Sequence, residues 1–445
     1  MAASPLTTDL YQLTMMAGYF AQGRHERTVA SFELFVRHLP RNRNYLIAAG
    51  LPSVIEYLEQ LRFSDAEISW LRQAAPLARV PAEFFDYLRD FKFTGDVWAI
   101  PEGTPVFAHE PLVRITAPIA QAQLIETAAL ACITFQTSIA SKAARVVSAA
   151  AGRPVMEFGA RRAHGLEAAL FAARAAFLAG AAGTSFVEAG RRFGIPLSGT
   201  MAHSWVMSAD SEAQAFDDYA SVFGGQSVFL LDTYDTISAA RLVVSSGLQP
   251  AGVRLDSGDL DVLSREVRTI LDAGGLSATG IFVSGDLDEF SIRRLLSSGA
   301  PIDGFGVGTR LVTSEDAPAL GGIYKLVEIE ERGIRRGVVK RSEAKGTWPG
   351  RKQVWRIVEN ASAARDVVGF ADEEPPADGV PLLRQFMRGG QRLNEDVSLV
   401  TARHRCARLM AELPARLVTL EAPRTPYEVD PSAALSAALD RAPAP

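Results

Sequence analysis

Lysine is absent between Lys142 and Lys325 of this 445-residue chain. Its central third therefore offers no Schiff-base amine, which argues against lysine-dependent aldolase chemistry. Cysteine is scarce: Cys132 and Cys406 stand far apart, with no CxxC or Cys/His ligand spacing. That excludes a disulfide framework and a structural zinc knuckle. Neither sign of charge dominates, with 46 Lys and Arg against 51 Asp and Glu, a net charge of −5 and a pI of about 5.8. No basic face for nucleic acid or an anionic membrane is expected. The longest apolar stretch, residues 166–182, carries Glu167 and Arg174. It reads as a buried helix, not a membrane span. The N-terminal residues lack a basic segment followed by an apolar one, and Asp9 falls early. A reducing, cytoplasmic setting is the expectation.

Apolar residues make up 48% of the chain, enough for a large core, and the length suggests two or three domains. From about Val155 to Val312, short apolar runs alternate with helical patterns. The runs lie at 155–158, 184–186, 196–198, 227–231, 252–255, 280–284 and 304–307; the clearest helices lie at 166–178, 212–222, 237–245, 262–271 and 290–296. Alternating strand and helix implies parallel βαβ units. Seven units predict a closed or nearly closed α/β barrel, with chemistry at the C-terminal ends of its strands. Residues 1–125 differ. They predict helices at 9–20, 52–60 and 65–73, and antiparallel strands at 32–36, 95–100 and 106–107. Residues 323–370 are strand-like, broken by Gly333 and Gly337. The expected division is 1–125, 126–320 and 321–445, the outer parts joining as one discontinuous α+β domain. Arg441 to Pro445 is Pro/Ala-rich and expected to fray.

Each expected strand ends in polar residues or glycine. The ends are Glu157-Phe158-Gly159-Ala160-Arg161-Arg162, Gly183-Thr184-Ser185, Thr200 with His203 and Ser204, Asp232-Thr233-Tyr234-Asp235, Arg254-Leu255-Asp256-Ser257-Gly258-Asp259, Ser284-Gly285-Asp286-Leu287-Asp288, and Gly304 to Arg310. Helix capping accounts for part of this, at Asp235, Asp259 and Asp288. Capping does not require Arg161, Arg162 and Arg254, whose burial at a barrel mouth is costly without an anion. Arginine forks and glycine-rich turns hold phosphates, and carboxylates admit magnesium that enters with a phosphorylated substrate. A lone histidine at a core edge is usually only a satisfied structural residue. His203, in Gly199-Thr200-Met201-Ala202-His203, stands among these clusters and reads instead as a nucleophile or base. The Gly304–Gly308 run fits a phosphate-binding loop after the last strand better than a dinucleotide fingerprint. A metal-dependent lyase would need clustered histidines, and only His164 and His203 fall in this region.

Several of these segments resemble nicotinate phosphoribosyltransferase, a type II phosphoribosyltransferase. They are Thr8-Asp9-Leu10-Tyr11-Gln12-Leu13-Thr14-Met15, Glu157 to Ala163, Gly199 to Ser204, Asp232 to Asp235, Gly252 to Asp259, Gly306 to Thr309 and Pro349 to Val354. The resemblance runs in order from about residue 7 to about 430. It implies an irregular α/β barrel of that family with an α+β domain from both chain ends. It also implies transfer of a phosphoribosyl group from 5-phosphoribosyl-1-pyrophosphate to nicotinate, in NAD biosynthesis by salvage, coupled to ATP hydrolysis. His203 matches the family's phosphorylated histidine, with Asp232 or Asp235 as its orienting partner. Tyr11 and Phe158 match the aromatic pair around the pyridine ring; Arg161, Ser185, Thr200 and Arg254 complete the nicotinate site. Arg162, Asp256, Ser257, Gly285, Asp286, Gly306, Gly308 and Thr309 are the expected phosphoribosyl and phosphate contacts. Mg²⁺ is expected to arrive with the substrate phosphates without a dedicated protein cage. A homodimer with a shared active site is implied, Tyr11 crossing from the neighbouring subunit. The alternative substrate is nicotinamide. Relatives that use it carry an acidic residue after the Gly-Thr of the second strand and a Thr-Asp-Ser-Tyr opening; here Ser185 and Leu10 hold those places.

Overall fold

The structure is a computed structural model and describes residues 4–340, 346–393, 398–423 and 425–441. Of the end expected to fray, residues 442–445 lie outside the described residues. The chain divides into two compact units, Met1–Ser138 with Ala319–Pro445, and Ile139–Pro318. No helix among the described residues is long and apolar enough to cross a membrane.

The second unit carries six parallel strands: β1 Val155–Glu157, β2 Gly183–Thr184, β3 Val228–Leu230, β4 Gly252–Leu255, β5 Gly280–Val283 and β6 Gly304–Val307. Its helices are α1 Glu126–Ala149, which enters from the first unit, α2 Leu166–Leu178, α3 Val187–Phe193, α4 His203–Ser208 and α5 Glu212–Phe223. Then follow α6 Thr236–Ser246, α7 Leu260–Ala273, α8 Glu289–Ser297 and α9 Thr309–Val312. The strands are short and almost wholly apolar because both faces are covered. The spatial order is β2-β1-β6-β5-β4-β3, and Leu197 adds a single parallel bridge to Thr184 outside β2.

The first strand thus pairs with the last, through Phe305 opposite Val155 and Val307 opposite Glu157. That pairing curls the sheet into an incompletely closed α/β barrel. Among the described residues no ladder joins Leu197 to β3, so the ring opens there. The third predicted strand, residues 196–198, shrinks to that one bridge. Pro196 has no N–H to donate; its carbonyl accepts from Thr184 N at 3.0 Å. The helices start where the side chains cap them. Asp235 accepts from Ser238 N, Asp259 from Asp261 N and Val262 N, and Asp288 forms a capping box with Ser291.

The first unit is built on a seven-stranded sheet. Thr28–Val36 lies antiparallel between Gly322–Glu331 and Pro111–Pro118. Pro111–Pro118 pairs with Asp96–Ala99, which pairs with Arg384–Arg388. Strands from both ends of the chain therefore share one sheet. Leu10–Ala21, Leu51–Gln60 and Ala82–Arg89 pack apolar faces into its core, where Phe32 stacks on Tyr324 at 4.9 Å.

Candidate active site

The C-terminal ends of the barrel strands gather most of the residues singled out from the sequence. Beyond β1 the chain makes a single turn of 3-10 helix, Ala160–Arg162, which leaves Arg161 and Arg162 exposed. Phe158 N donates to Val307 O at 2.8 Å, and the Phe158 ring lies against Gly306 of β6. A Cβ at Gly306 would fall 2.5 Å from that ring, so the close approach requires glycine. Glu157 is buried beneath this turn. It accepts hydrogen bonds from Gly159 N and from Thr184 Oγ1, and its own carbonyl accepts from Ser185 N at 3.0 Å. Burial raises its pKa, against the effect of those two donors on its carboxylate. Glu157 thus ties the Phe158 turn to Thr184 and Ser185. A glutamate closing an apolar strand is the sequence signal for this role.

Arg254 is the penultimate residue of β4, and its Nη1 donates to Thr200 Oγ1. Its Nε is buried without a hydrogen-bond partner. Burial pulls the Arg254 pKa below its usual value; Arg161 adds to the shift, while Asp256 and Asp232 oppose it. Two guanidinium groups are therefore within electrostatic reach of each other.

His203 opens α4, and its Nδ1 lies 3.2 Å from Thr233 Oγ1. This corrects the expectation that Asp232 or Asp235 orients the imidazole. Asp235 is drawn to the N-terminus of α6, where it caps Ser238 N at 2.8 Å. Asp232 Oδ2 is engaged by Ser257 Oγ and Asp256 N, so it braces the loop after β4. The other oxygen, Asp232 Oδ1, is buried with no hydrogen-bond partner.

The loop after β5 packs on the loop after β4. Ser284 Oγ donates to Asp256 Oδ1, and a Cβ at Gly285 would lie 2.0 Å from the Asp256 carbonyl oxygen. Gly285 takes φ +93°, which suits glycine, and Asp286 follows at φ +45°. After β6, Gly308 and Thr309 lead into α9, and Arg310 Nη1 donates to Asp288 Oδ2 at 2.7 Å. The C-terminal ends of the barrel strands and the turns after them thus carry Phe158, Arg161, Arg162, Ser185, Asp232, Arg254, Asp256, Ser257, Gly285, Asp286, Gly306, Gly308 and Thr309, while Thr200 and His203 lie in the segment after the Leu197 bridge. Tyr11 belongs to the first unit, on helix Leu10–Ala21, and is 46% exposed. Among the described residues no three His, Cys, Asp or Glu side chains form a metal-holding group. The orphaned Asp232 Oδ1 is a hard oxygen donor of the kind a divalent cation accepts.

Residues 6–134 match the nicotinate phosphoribosyltransferase (NAPRTase) N-terminal domain, and residues 154–347 match the nicotinate phosphoribosyltransferase (NAPRTase) family. The chain belongs to the nicotinate phosphoribosyltransferase family. It is 46% identical over 423 residues to nicotinate phosphoribosyltransferase pncB2 of Mycobacterium tuberculosis, covering 94% of this chain and 89% of that protein. It is 44% identical to the Bacillus subtilis nicotinate phosphoribosyltransferase, over 83% of this chain and 76% of that one. The crystal structure of human nicotinic acid phosphoribosyltransferase superposes with a TM-score of 0.84 at 28% identity, covering 97% of this chain and 99% of the human one. As a nicotinate phosphoribosyltransferase family member the protein is a transferase, and its barrel is of the type II phosphoribosyltransferase kind.

Proposed function

We propose that this chain joins nicotinate to 5-phosphoribosyl-1-pyrophosphate, yielding nicotinate mononucleotide and pyrophosphate. The reading rests on one observation above others. Arg254, with its unpartnered Nε and its hydrogen bond to Thr200, lies within electrostatic reach of Arg161. A planar carboxylate accepts from these donors and neutralises their charge; a neutral amide accepts without neutralising it. The pyridine ring then lies on Phe158, with Ser185 at its edge, where a carboxylate side chain would repel the acid. The ring nitrogen attacks C1 of the ribose, and the bond from C1 to the pyrophosphate oxygen breaks. No strong general base is needed, because the nucleophile is a free lone pair. Positioning and charge stabilisation carry the step. Arg162, Asp256, Ser257, Gly285, Asp286, Gly306, Gly308 and Thr309 hold the phosphoribosyl and phosphate groups. Magnesium, when bound with the pyrophosphate near Asp232, supplies positive charge to the leaving oxygens.

ATP coupling belongs to the same proposal. His203 Nδ1 is held by Thr233, which leaves Nε2 to take the γ-phosphoryl group of ATP, releasing ADP; water later cleaves the phosphohistidine. We further assign a homodimer in which Tyr11 of the partner subunit closes the pyridine site. Half-exposed Tyr11 supports it, as does a partly exposed aromatic row on the barrel unit. In that row Trp205 meets Tyr219 at 5.8 Å, and Tyr219 meets Phe223 at 4.4 Å. Neither Cys132 nor Cys406 forms a disulfide, which supports a reducing, cytoplasmic setting. Incubation with nicotinate or nicotinamide, 5-phosphoribosyl-1-pyrophosphate, Mg²⁺ and ATP tests the assignment. Nicotinate mononucleotide, with kcat/KM favouring the acid, is expected; no product, or preference for the amide, overturns it.

A further inference from the structure

The barrel unit buries a group of charges that the proposed reaction does not use. Lys142 and Arg145 sit one turn apart on α1, each 2% exposed, and Glu289, 0% exposed, is the first residue of α8. Lys142 Nζ is 2.5 Å from Glu289 Oε2 and 2.9 Å from Asp316 Oδ1, and Arg145 Nε is 3.0 Å from Glu289 Oε1. Two cations balance two carboxylates in an almost dry site. Such a cluster is expensive to bury, and apolar residues of similar volume pack as well or better. Stability alone is thus a poor reason for it.

Its connections supply a better one. Glu289 directly follows Asp288, the residue that caps α8 and ends the loop after β5. That loop is the one with positive φ at Gly285 and Asp286, pressed against the Asp256 carbonyl. Asp316 lies just beyond α9, which starts at the loop after β6. One ammonium group therefore ties together the segments that follow both loops. Arg310 links the same two segments a second time, reaching Asp288 at 2.7 Å and Glu315 at 3.2 Å. Each loop is thus held at two points.

We propose that Lys142 is a positioning residue for the phosphoribosyl substrate, setting the spacing of the loops after β5 and β6 through Glu289 and Asp316. This rests on the assignment of those loops to the phosphoribosyl group made above.

The test is the pair Lys142→Met with Asp316→Asn, which removes one charge of each sign and leaves Arg145 on Glu289. KM for 5-phosphoribosyl-1-pyrophosphate should rise about tenfold or more, since small displacements of binding groups are costly. KM for nicotinate should stay within about twofold, and amide hydrogen exchange should quicken at 284–288 and 308–316. Equal losses for both substrates, or unchanged KM and unchanged exchange in those loops, overturn the inference. If the double variant does not fold, Asp316→Asn alone must still move the same two readouts in the same direction; no movement overturns the proposal. Wild-type protein without phosphoribosyl transfer would instead refute the function, and the exchange measurement would still judge the clamp.

Discussion

The Arg254 guanidinium donates to the Thr200 hydroxyl across 54 positions of sequence. Thr200 precedes the helix of His203, and Arg254 lies on the strand that leads to Asp256 and Ser257. One hydrogen bond therefore links the proposed acid-binding side of the mouth to the proposed phosphoribosyl side. Arg254→Ala should raise KM for nicotinate roughly thirty- to hundred-and-fifty-fold, as a hydrogen-bonded charge is worth about 2–3 kcal/mol. Thr200→Val, which removes only a neutral partner, should cost about fivefold. Steady-state kinetics with nicotinate varied checks both; equal effects would contradict the direct role of the guanidinium.

His203→Ala should abolish nicotinate-dependent ATP hydrolysis while slow, uncoupled nucleotide formation continues. Thr233→Val should weaken phosphorylation about fivefold by freeing the Nδ1 side of the ring. Radiolabelled ATP and acid-labile protein-bound phosphate measure this. Full labelling of the histidine variant would place the phosphoryl group elsewhere.

Gly306→Ala should push the Phe158 ring off β6, because the new methyl would lie 2.5 Å from it. KM for nicotinate should rise about tenfold through lost stacking. The melting temperature and the product assay together separate this from simple unfolding; an unaltered KM in a folded variant would show that the ring does not contact the substrate.

Glu110 in the first unit is buried and faces Asp366, and burial with that neighbouring charge raises its pKa well above 4.5. The native state holds this proton more tightly than the unfolded chain. Glu110 therefore supports folding most at low pH, and that contribution is lost as pH rises through the elevated native value. Glu110→Gln keeps an acceptor for Phe107 N, now 2.9 Å from the carboxyl, and offers a donor towards Asp366. Its unfolding free energy should fall less between pH 5 and 9 than that of the wild type. Urea titrations across that range read the difference, and identical slopes would rule the titration out.

Tyr11→Ala should weaken nicotinate binding about tenfold. Mixing it with Arg254→Ala protein under subunit exchange should restore activity, since mixed dimers hold one intact site. Mixing without recovery, where exchange is demonstrated, would mean that each site is built from one chain.

Much of this architecture was legible in the residue order. The helix at 166–178 was placed to the residue, and the three aspartate caps fell where short-range hydrogen bonding puts them. Both follow from interactions between residues at most four apart, which local sequence determines by itself. The motifs at the strand ends were equally visible, because a parallel barrel brings all its C-terminal strand ends to one face. Tertiary structure decided what local order cannot express. It paired β1 with β6, reduced residues 196–198 to one bridge, and turned Thr233 rather than Asp232 towards His203. It also brought Lys142 to Glu289 and Asp316, groups separated by 147 and 174 positions (289 − 142 and 316 − 142). No periodicity records such meetings. They depend on which distant side chains share one buried volume, and there each charge needs a partner that water no longer supplies.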